Sequence, residues 1–385
     1  MKIGIITLPL HTNYGGLLQN YALQLVLKRL GHDPITFNWG TEQLPTWKRI
    51  LYPIAIWTLR IVFRKNMVPF GYQPNKKESR IISKNTDEFI INHINKVDVD
   101  NDSESFAKEA LNQKVDAIVV GSDQVWRPMY SADSLYIKYL DFANNWLIQK
   151  IAYAVSFGTS QWEYTKEETS RCKKLVSQFD LVTVREDTGV ELCNRYLGVS
   201  ASHVMDPTLL LEKKDYEDLV LVNKTPKSSG NLFYYILDPS PEKSTFVKKV
   251  SDMLGLKAFT VMPEKQMENR TLFDIKFHIN KCVFPSVESW LRAFMDAEYV
   301  VCDSFHGCVF SIIFNKPFSV IGNKHRGNAR FQSLLRMFNL EDRMLSIDSS
   351  IEVNLTKPID WDTINHIKSE WKERSIRLLS EKLYL

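Results

Sequence analysis

Apolar runs of strand length alternate with segments of helical periodicity through the first half of the chain. The run from Ile3 to Leu8 leads through a polar loop into residues 17–30, where leucines recur at helical spacing and Gly31 is placed to end the helix. Later strand-like runs lie at 35–38, 115–120, 151–155 and 181–184. Because strands alternate with helices, the pattern predicts a parallel, doubly wound sheet.

The same alternation begins again after a break. Residues 212–230 are polar and rich in turn-forming residues, as expected of a domain linker or a surface excursion. A second series of strands and helices runs from Leu232 to Ile321. A long amphipathic helix is predicted from Trp361 to Leu383. The predicted fold class is therefore α/β and GT-B-like, with two Rossmann-like domains whose parallel sheets face each other across a cleft.

The linker and the last helix set the predicted domain boundaries. Residues 1–212 form the N-terminal domain, which we expect to bind an acceptor, and residues 213–358 form the C-terminal domain, which we expect to bind a donor. Residues 359–385 form a helix that crosses back toward the N-terminal domain. Ligands of such folds bind between the domains, at the carboxyl ends of the strands.

Composition narrows the class of protein. The 385 residues are 44% hydrophobic and 24% charged, which is typical of a folded globular protein, and the net charge of +4 is too small to indicate a nucleic-acid binder. Five cysteines form no CxxC pair, which predicts free thiols in a reducing compartment and no metal site. Since the first apolar run is also too short for a signal sequence, we expect a cytoplasmic protein.

One basic apolar segment allows two interpretations. Residues 47–70 are rich in Trp, Leu and Ile, are interrupted by Pro53 and Arg60, and carry flanking Lys and Arg residues. The segment is too short and too charged to span a bilayer, but it suits a helix that lies in the interface at the inner face of the plasma membrane. The alternative is an amphipathic helix packed on its own domain.

The most informative chemistry follows the predicted strand at 299–302. The chain continues as Asp303-Ser304-Phe305-His306-Gly307 and enters an apolar helix, so Ser304, His306 and Gly307 lie at the mouth of a parallel sheet. Backbone N–H groups at the start of that helix suit a phosphate or carboxylate of a donor. His306 is the predicted catalytic acid, because histidine exchanges protons near neutral pH; the alternative is that it only caps the turn.

Arginines near two other strand ends are candidates for binding an anionic donor. Arg326 and Arg330 follow the next strand and offer planar forks for two anionic groups, unless they belong to a solvated basic loop. Arg185 follows the strand at 181–184 and either reaches an anion in the cleft or pairs with its acidic neighbours Glu186 and Asp187.

The loop after the first strand offers acceptor-binding groups. Paired glycines, Gly15 and Gly16, let the backbone approach a ligand closely, while Asn13 and Tyr14 suit hydrogen bonds to sugar hydroxyls. The loop fits neither the dinucleotide fingerprint nor the P-loop.

A second acceptor-side loop follows the strand at 115–120. There Asp123 is predicted to act as a general base or to accept from a sugar hydroxyl, and Trp126 to stack on a pyranose ring. The alternative for Asp123 is an ordinary turn or cap, and Asp206 before Pro207 is predicted to be structural.

Taken in order, the segments NYGGLLQNYALQ, GSDQVWRP, YAVSFG, VRED, MDPTLLL, DSFHG and HRGNARFQSLL resemble the polysaccharide pyruvyl transferase family across nearly the whole chain. The resemblance implies a GT-B-like fold, phosphoenolpyruvate as co-substrate, no metal or other cofactor, and a glycan or lipid-linked acceptor that gains pyruvate as a cyclic ketal. It also implies that His306 is the acid. Some relatives are similar to an Arg-Leu-His pattern where this chain has Ser304-Phe305-His306, so Arg185, Arg326 or Arg330 must bind the donor.

Two other functions remain open from the residues alone. A glycosyltransferase of the same fold would place the diphosphate of a nucleotide sugar on the helix that begins after Ser304. A glycan-binding protein without activity would keep the cleft but not its chemistry, and the combination of His306 with several arginines argues against it. Fold does not separate these readings, because the site decides function.

Overall fold

The computed structural model describes residues 1–40, 74–130, 134–266, 270–322, 327–345, 355 and 357–383. The predicted membrane segment at 47–70 and the candidate donor residue Arg326 lie outside these residues. None of the described helices combines the length and the hydropathy needed to cross a bilayer.

The N-terminal domain contains a seven-stranded sheet with the order β3-β2-β1-β4-β5-β6-β7. All neighbouring strands are parallel, as the alternation of strands and helices predicts. The strands are β1 (Lys2–Ile6), β2 (Asp33–Trp39), β3 (Lys96–Val99), β4 (Ala117–Val120), β5 (Gln149–Val155), β6 (Leu181–Val184) and β7 (Ser202–His203). The helices are α1 (Tyr14–Arg29), α2 (Lys76–Ile82), α3 (Lys84–His93), α4 (Ser103–Gln113), α5 (Lys166–Val176) and α6 (Asp187–Leu192), the last continuing as a π-helical turn (Cys193–Leu197).

The C-terminal domain contains a five-stranded parallel sheet with the order β12-β11-β10-β8-β9. Its strands are β8 (Leu232–Tyr235), β9 (Ala258–Phe259), β10 (Tyr299–Cys302), β11 (Phe318–Ile321) and β12 (Met344–Leu345). The helices from the linker onward are α7 (Lys213–Val222), α8 (Pro241–Leu254), α9 (Leu272–Phe277), α10 (Val287–Asp296), α11 (Phe305–Ile313), α12 (Ala329–Met337) and α13 (Trp361–Leu383). The prediction of two parallel α/β sheets is confirmed.

The central strands are short and almost fully buried, which explains their continuous apolar sequences, whereas the edge strands β3 and β7 are only partly buried. In β4 and β10 every residue is buried, since helices cover both faces of a parallel sheet. Local capping defines where the helices begin. Asn13 caps α1 by accepting from the Gly16 N–H, and Ser304 caps α11 by accepting from the Gly307 N–H.

The two domains share one continuous apolar core. Tyr14 at the start of α1 stacks on Trp290 of α10 with ring centroids 5.7 Å apart, and its hydroxyl donates to the Pro285 carbonyl at 2.8 Å. The last helix, α13, lies against the N-terminal domain, where the Ser375 hydroxyl accepts from the Met205 N–H at 3.1 Å. These contacts bring the carboxyl ends of the two sheets together around a cleft.

Candidate active site

Each sheet has a point where the strand order reverses, and ligands of doubly wound folds bind at such points. In the N-terminal sheet the reversal lies between β1 and β4, whose carboxyl ends lead into the loops that carry Asn13 and Asp123. In the C-terminal sheet it lies between β8 and β10, and β10 leads directly into Ser304 and His306. The topology therefore places the predicted residues of both domains at one cleft.

Asp123 is held rigidly in the loop after β4. Its φ of 70° lies in the left-handed region, which Asp tolerates better than most residues. The Asp123 carbonyl accepts from the N–H groups of Val125 at 2.8 Å and Ser156 at 3.0 Å, which ties the loop to the end of β5. The side chain is buried and points toward the arginine that follows β6.

Arg185 is surrounded by three carboxylates. Its Nη1 lies 2.8 Å from Asp206 Oδ2, its Nη2 lies 3.3 Å from Asp123 Oδ1, and its Nε lies 3.7 Å from Glu186 Oε1. Burial would lower the pKa of the guanidinium, but the three carboxylates outweigh it and raise the pKa. Arg185 thus balances the charges of the cluster, which matches the paired alternative considered for this residue rather than donor binding.

Asp206 is central to the site, although the sequence pattern predicted a structural residue. Its Oδ1 accepts from the Thr208 N–H and hydroxyl at 3.0 and 2.6 Å, while its Oδ2 accepts from Arg185 and lies 3.8 Å from His306 Nε2. Burial would raise the pKa of the carboxyl, but His306, Arg185 and Thr208 outweigh it and lower the pKa. Asp206 is therefore a carboxylate that faces the catalytic candidate.

His306 reaches across the cleft from the first turn of α11. The ring is buried and packs so closely on Gly15 that a Cβ at that position would lie 2.0 Å from His306 Nδ1. Nε2 is buried, faces Asp206 and has no hydrogen-bond partner among the described residues. A buried nitrogen in this state costs free energy, and such groups in proteins call for an explanation such as a catalytic role.

The surroundings of His306 favour its neutral form. Burial lowers the pKa of the imidazole, and Arg185 and Arg330 lower it further, against the opposing effect of Asp206 and Asp123. The imidazole is thus mainly neutral at pH 7 and suited to accept a proton. The sequence expectation is a histidine that begins the reaction as an acid. The difference arises because burial, the largest effect on this pKa, is produced only by the fold.

Arg330 is the second buried guanidinium of the cleft. It lies in the first turn of α12, and burial together with repulsion from Arg185 lowers its pKa to about 10 in spite of Asp123 and Glu186. Phe305 lies between the two arginines, with its ring centroid 4.2 Å from the Arg185 guanidinium and 5.9 Å from that of Arg330. The Phe305 ring thus lies near both cations.

Glu186 differs from the other carboxyls of the cluster. Burial raises its pKa, although Arg185 and a hydrogen bond from the Ser156 hydroxyl act in the opposite direction. The site thus combines an imidazole whose pKa is lowered with a carboxyl whose pKa is raised, and pairs shifted in this way are found where protons are exchanged. Sequence reasoning considered Glu186 only as a partner for Arg185.

His11 is another residue that sequence reasoning did not select. Its side chain is exposed at the rim of the cleft, where surrounding protein atoms lower the pKa of the imidazole and Asp123 acts in the opposite direction. The position of His11, within the loop that joins β1 to α1, was the available signal. Asp206 gave a similar signal, because it follows β7 at the same edge of the sheet.

Two predicted acceptor residues have packing roles instead. Trp126 is fully buried, stacks on Tyr139 at 4.5 Å and donates from Nε1 to the Lys138 carbonyl at 3.0 Å, so it offers no free ring face to a sugar. Tyr14 is also fully buried, and Pro285 accepts from its hydroxyl. Both corrections have one cause: an aromatic residue near a strand end packs inward when a second element covers it.

The remaining candidates line the cleft or support its walls. Asn13 is exposed at the rim beside Gly16, and Gly15 provides the space for the His306 ring. Ser304 caps α11, and Gly307 lets that helix approach β10, since a Cβ there would lie 2.7 Å from the Cys302 Cβ. Within the described part of the chain no group of His, Cys, Asp and Glu is arranged to hold a metal ion.

The two parallel sheets with a cleft at their carboxyl ends define a GT-B-like fold. Two solved structures share this fold across the whole chain. UDP-GlcNAc 2-epimerase from Methanocaldococcus jannaschii is 12% identical, with 99% of this chain and 100% of that chain covered and a TM-score of 0.54. Arabidopsis thaliana UGT89C1 complexed with UDP is 10% identical, with 100% of both chains covered and a TM-score of 0.51.

The sequence identifies the family within this fold. Residues 13–325 match the model of the polysaccharide pyruvyl transferase family, and the chain belongs to that family. It is therefore a transferase that acts on a polysaccharide. No curated protein sequence matches the chain significantly.

Proposed function

We propose that the enzyme transfers the enolpyruvyl group of phosphoenolpyruvate to a sugar of a bacterial surface polysaccharide, such as a capsule or exopolysaccharide, or of its lipid-linked repeat unit, and forms a pyruvate ketal. The observation that carries this proposal is the buried Nε2 of His306, which lacks a partner among the described residues and lies beside two carboxylates and Arg330. This arrangement provides proton transfer next to a cation, as a reaction of an anionic enol phosphate requires.

The donor's anionic groups meet two features of the C-terminal domain. Arg330 presents a buried guanidinium at the start of α12, and a guanidinium binds carboxylate and phosphate groups through paired hydrogen bonds. The N–H groups in the first turn of α11 point out of the helix toward the same cleft, a position that favours phosphate. Arg326 is a further candidate for this role.

Proton transfer is divided between two groups. In the complex with the anionic donor, whose charge raises the pKa of Glu186 further, the protonated Glu186 donates a proton to C3 of phosphoenolpyruvate. An acceptor hydroxyl bonds to C2, and its proton passes to His306. The C2–O bond to phosphate then breaks, and the departing phosphate takes the proton from His306. A neighbouring hydroxyl of the sugar bonds to C2, closes the ketal and returns a proton to Glu186. Asp206 and Asp123 stabilise the transient imidazolium.

The acceptor occupies the N-terminal side of the cleft. Asn13, Gly16 and Asp123 are the groups on that side that suit hydroxyl recognition, and His11 adds an exposed imidazole at the rim. We place the enzyme in the cytoplasm and propose that residues 47–70 contact anionic lipid at the inner membrane face. Co-sedimentation with anionic vesicles that weakens with salt supports this contact, and recovery only in the supernatant at low salt contradicts it.

The function is tested by binding and by product analysis. Phosphoenolpyruvate should raise the melting temperature, because a ligand that binds only the folded state stabilises it. Incubation with an acceptor should release inorganic phosphate and increase the acceptor mass by pyruvic acid minus water. Stabilisation by nucleotide sugars and not by phosphoenolpyruvate would favour a glycosyltransferase instead.

His306→Gln tests the proposed role of the imidazole. We expect a loss of about 10²–10⁴-fold in kcat with an unchanged melting temperature, since proton-transfer groups contribute by that amount. In the wild type, kcat/KM should fall only at pH values lower than those at which a free imidazole is protonated, because burial lowers the pKa of His306. This acidic limb should disappear in the variant. Turnover within a few-fold of the wild type would remove His306 from the mechanism.

A further inference from the structure

A groove of about 330 Å³ opens on the N-terminal domain beside the cleft. Residues 160–162 of the loop after β5 form one wall, and Thr188, Glu191, Arg195 and Tyr196 of α6 and its π-helical turn form the other. The volume lies at the lower end of the range of about 300–1,000 Å³ for ligand sites, which suits one or two sugar rings.

Both walls of the groove begin at the catalytic cluster. Thr188 follows Glu186 by two residues on α6. On the other wall, Ser160 follows Gly158, whose carbonyl oxygen would lie 1.9 Å from a Cβ at Gly327, just before α12. The groove is thus continuous with the edge of the cleft where the domains meet.

The α6 wall is also tied to the helix that carries Arg330. The Asp187 carboxylate lies 2.6 Å from Arg336 Nη2, and the Asp187 N–H donates to the Ser333 hydroxyl at 3.0 Å. Both partners belong to α12. This contact holds the groove at a set position relative to the proposed donor site.

The groove contains aromatic rings together with hydrogen-bond donors and acceptors. Trp162 and Tyr196 stack with ring centroids 4.6 Å apart and planes inclined by 5°. Arg195 lies over the Tyr196 ring at 5.2 Å, and Glu191 is exposed beside it. The Arg195 guanidinium donates hydrogen bonds and the Glu191 carboxylate accepts them, while a hydroxyl group both donates and accepts. The pair therefore suits the hydroxyl groups of a sugar better than it suits a purely anionic or purely cationic ligand.

Two local features indicate that the groove is used. The hydroxyl of Thr188 is buried and has no hydrogen-bond partner among the described residues. Residues 193–197 form a π-helical turn, a rare conformation that occurs frequently at functional sites, and this turn carries Arg195 and Tyr196. Although Glu191 and Arg195 are four residues apart, the described structure contains no ion pair between them.

We propose that this groove binds a sugar residue of the acceptor glycan adjacent to the one that receives pyruvate. The inference rests on the proposed function, because it assumes that the acceptor occupies the N-terminal side of the cleft. It adds a glycan subsite formed by Glu191, Arg195, Tyr196 and Thr188, and it explains how an enzyme of this fold selects an oligosaccharide over a free sugar.

The test is direct binding to an array of bacterial surface oligosaccharides together with their constituent monosaccharides. Wild-type protein should bind some oligosaccharides at least tenfold more tightly than the monosaccharides, and the double variant Glu191→Ala, Arg195→Ala should lose about tenfold or more, which corresponds to about 1.4 kcal/mol. Thr188→Val, which keeps the side-chain shape, should weaken binding in the same direction.

A matched control is Glu381→Ala with Arg377→Ala, which removes the same two charges from exposed positions on α13. This variant should bind like the wild type. Oligosaccharide binding that is no tighter than monosaccharide binding, or that survives in the groove variant, would overturn the proposal. Phosphoenolpyruvate binding, measured separately by thermal shift, reports on the donor site, so failure of the proposed function is recognised independently.

Discussion

At the scale of single residues, the position of the His306 ring depends on the absence of a side chain at Gly15. A Cβ there would lie 2.0 Å from Nδ1 and 2.3 Å from Cγ of the ring. Gly15 belongs to the first turn of α1, where alanine is favoured over glycine by about 1 kcal/mol. The glycine is therefore explained by the contact between domains rather than by the helix.

Gly15→Ala should displace the imidazole and lower kcat by about 10²-fold, because a shift of about 1 Å in a reacting group has effects of that size. Phosphoenolpyruvate binding should change little, since Arg330 and the first turn of α11 stay in place. Steady-state kinetics and a binding titration separate the two effects. Unchanged kcat in a variant with a normal melting temperature would show that His306 does not need this position.

At the scale of elements, the loops after β4, β6, β7 and β10 bring charges from distant parts of the chain into one cluster. The loops contribute Asp123, Arg185, Asp206 and His306, and the start of α12 adds Arg330. The two buried arginines differ in their partners. Arg185 contacts three carboxylates within 4 Å, whereas repulsion from Arg185 is one reason for the lowered pKa of Arg330.

Arg185→Met and Arg330→Met should therefore have different effects. The first variant leaves Asp123 and Asp206 buried without their cation and should destabilise the fold by about 3–5 kcal/mol, measured by denaturant unfolding. The second should fold with little loss but bind phosphoenolpyruvate at least tenfold more weakly, and Arg330→Lys should recover only part because the planar fork is lost. Equal donor affinity in Arg330→Met and the wild type would assign the anion to another group.

At the scale of the whole molecule, His203 lies where both domains and α13 meet. Its Nε2 lies 3.0 Å from the Arg185 carbonyl oxygen and 3.4 Å from the Ser333 hydroxyl, and its ring contacts Trp371 at 5.1 Å. Burial lowers the pKa of this imidazole, as it does for His306. The folded protein thus disfavours protonation of two histidines near the domain interface.

This has a consequence for stability against pH. The unfolded chain binds protons at these histidines near pH 6.5, whereas the folded chain binds them only at lower pH. The contribution of these two histidines to the free energy of unfolding should therefore be constant above about pH 7. The free energy of unfolding should decrease as the pH falls below 6.5. Urea unfolding at several pH values measures this. His203→Gln should reduce the dependence of the free energy of unfolding on pH in this range. An unchanged pH dependence in this variant would exclude a contribution from His203.

The two parallel sheets and the family could be predicted from the sequence alone. Buried parallel strands need apolar runs and the helices between them need helical periodicity, so the two sheets and the location of His306 at a strand end are readable locally. The ordered motifs also identified the family. These features depend on residues that are close in the chain.

Only the tertiary structure decided which side chains meet. Arg185 has acidic neighbours in the sequence, yet its closest partners are Asp206 and Asp123, and Asp206 became part of the site through contacts that no local pattern encodes. Trp126 and Tyr14 stand at strand ends like binding residues, but packing buries both. Burial and the sum of distant charges also set the pKa of His306. Desolvation and Coulomb energies depend on three-dimensional distance, which sequence spacing does not supply.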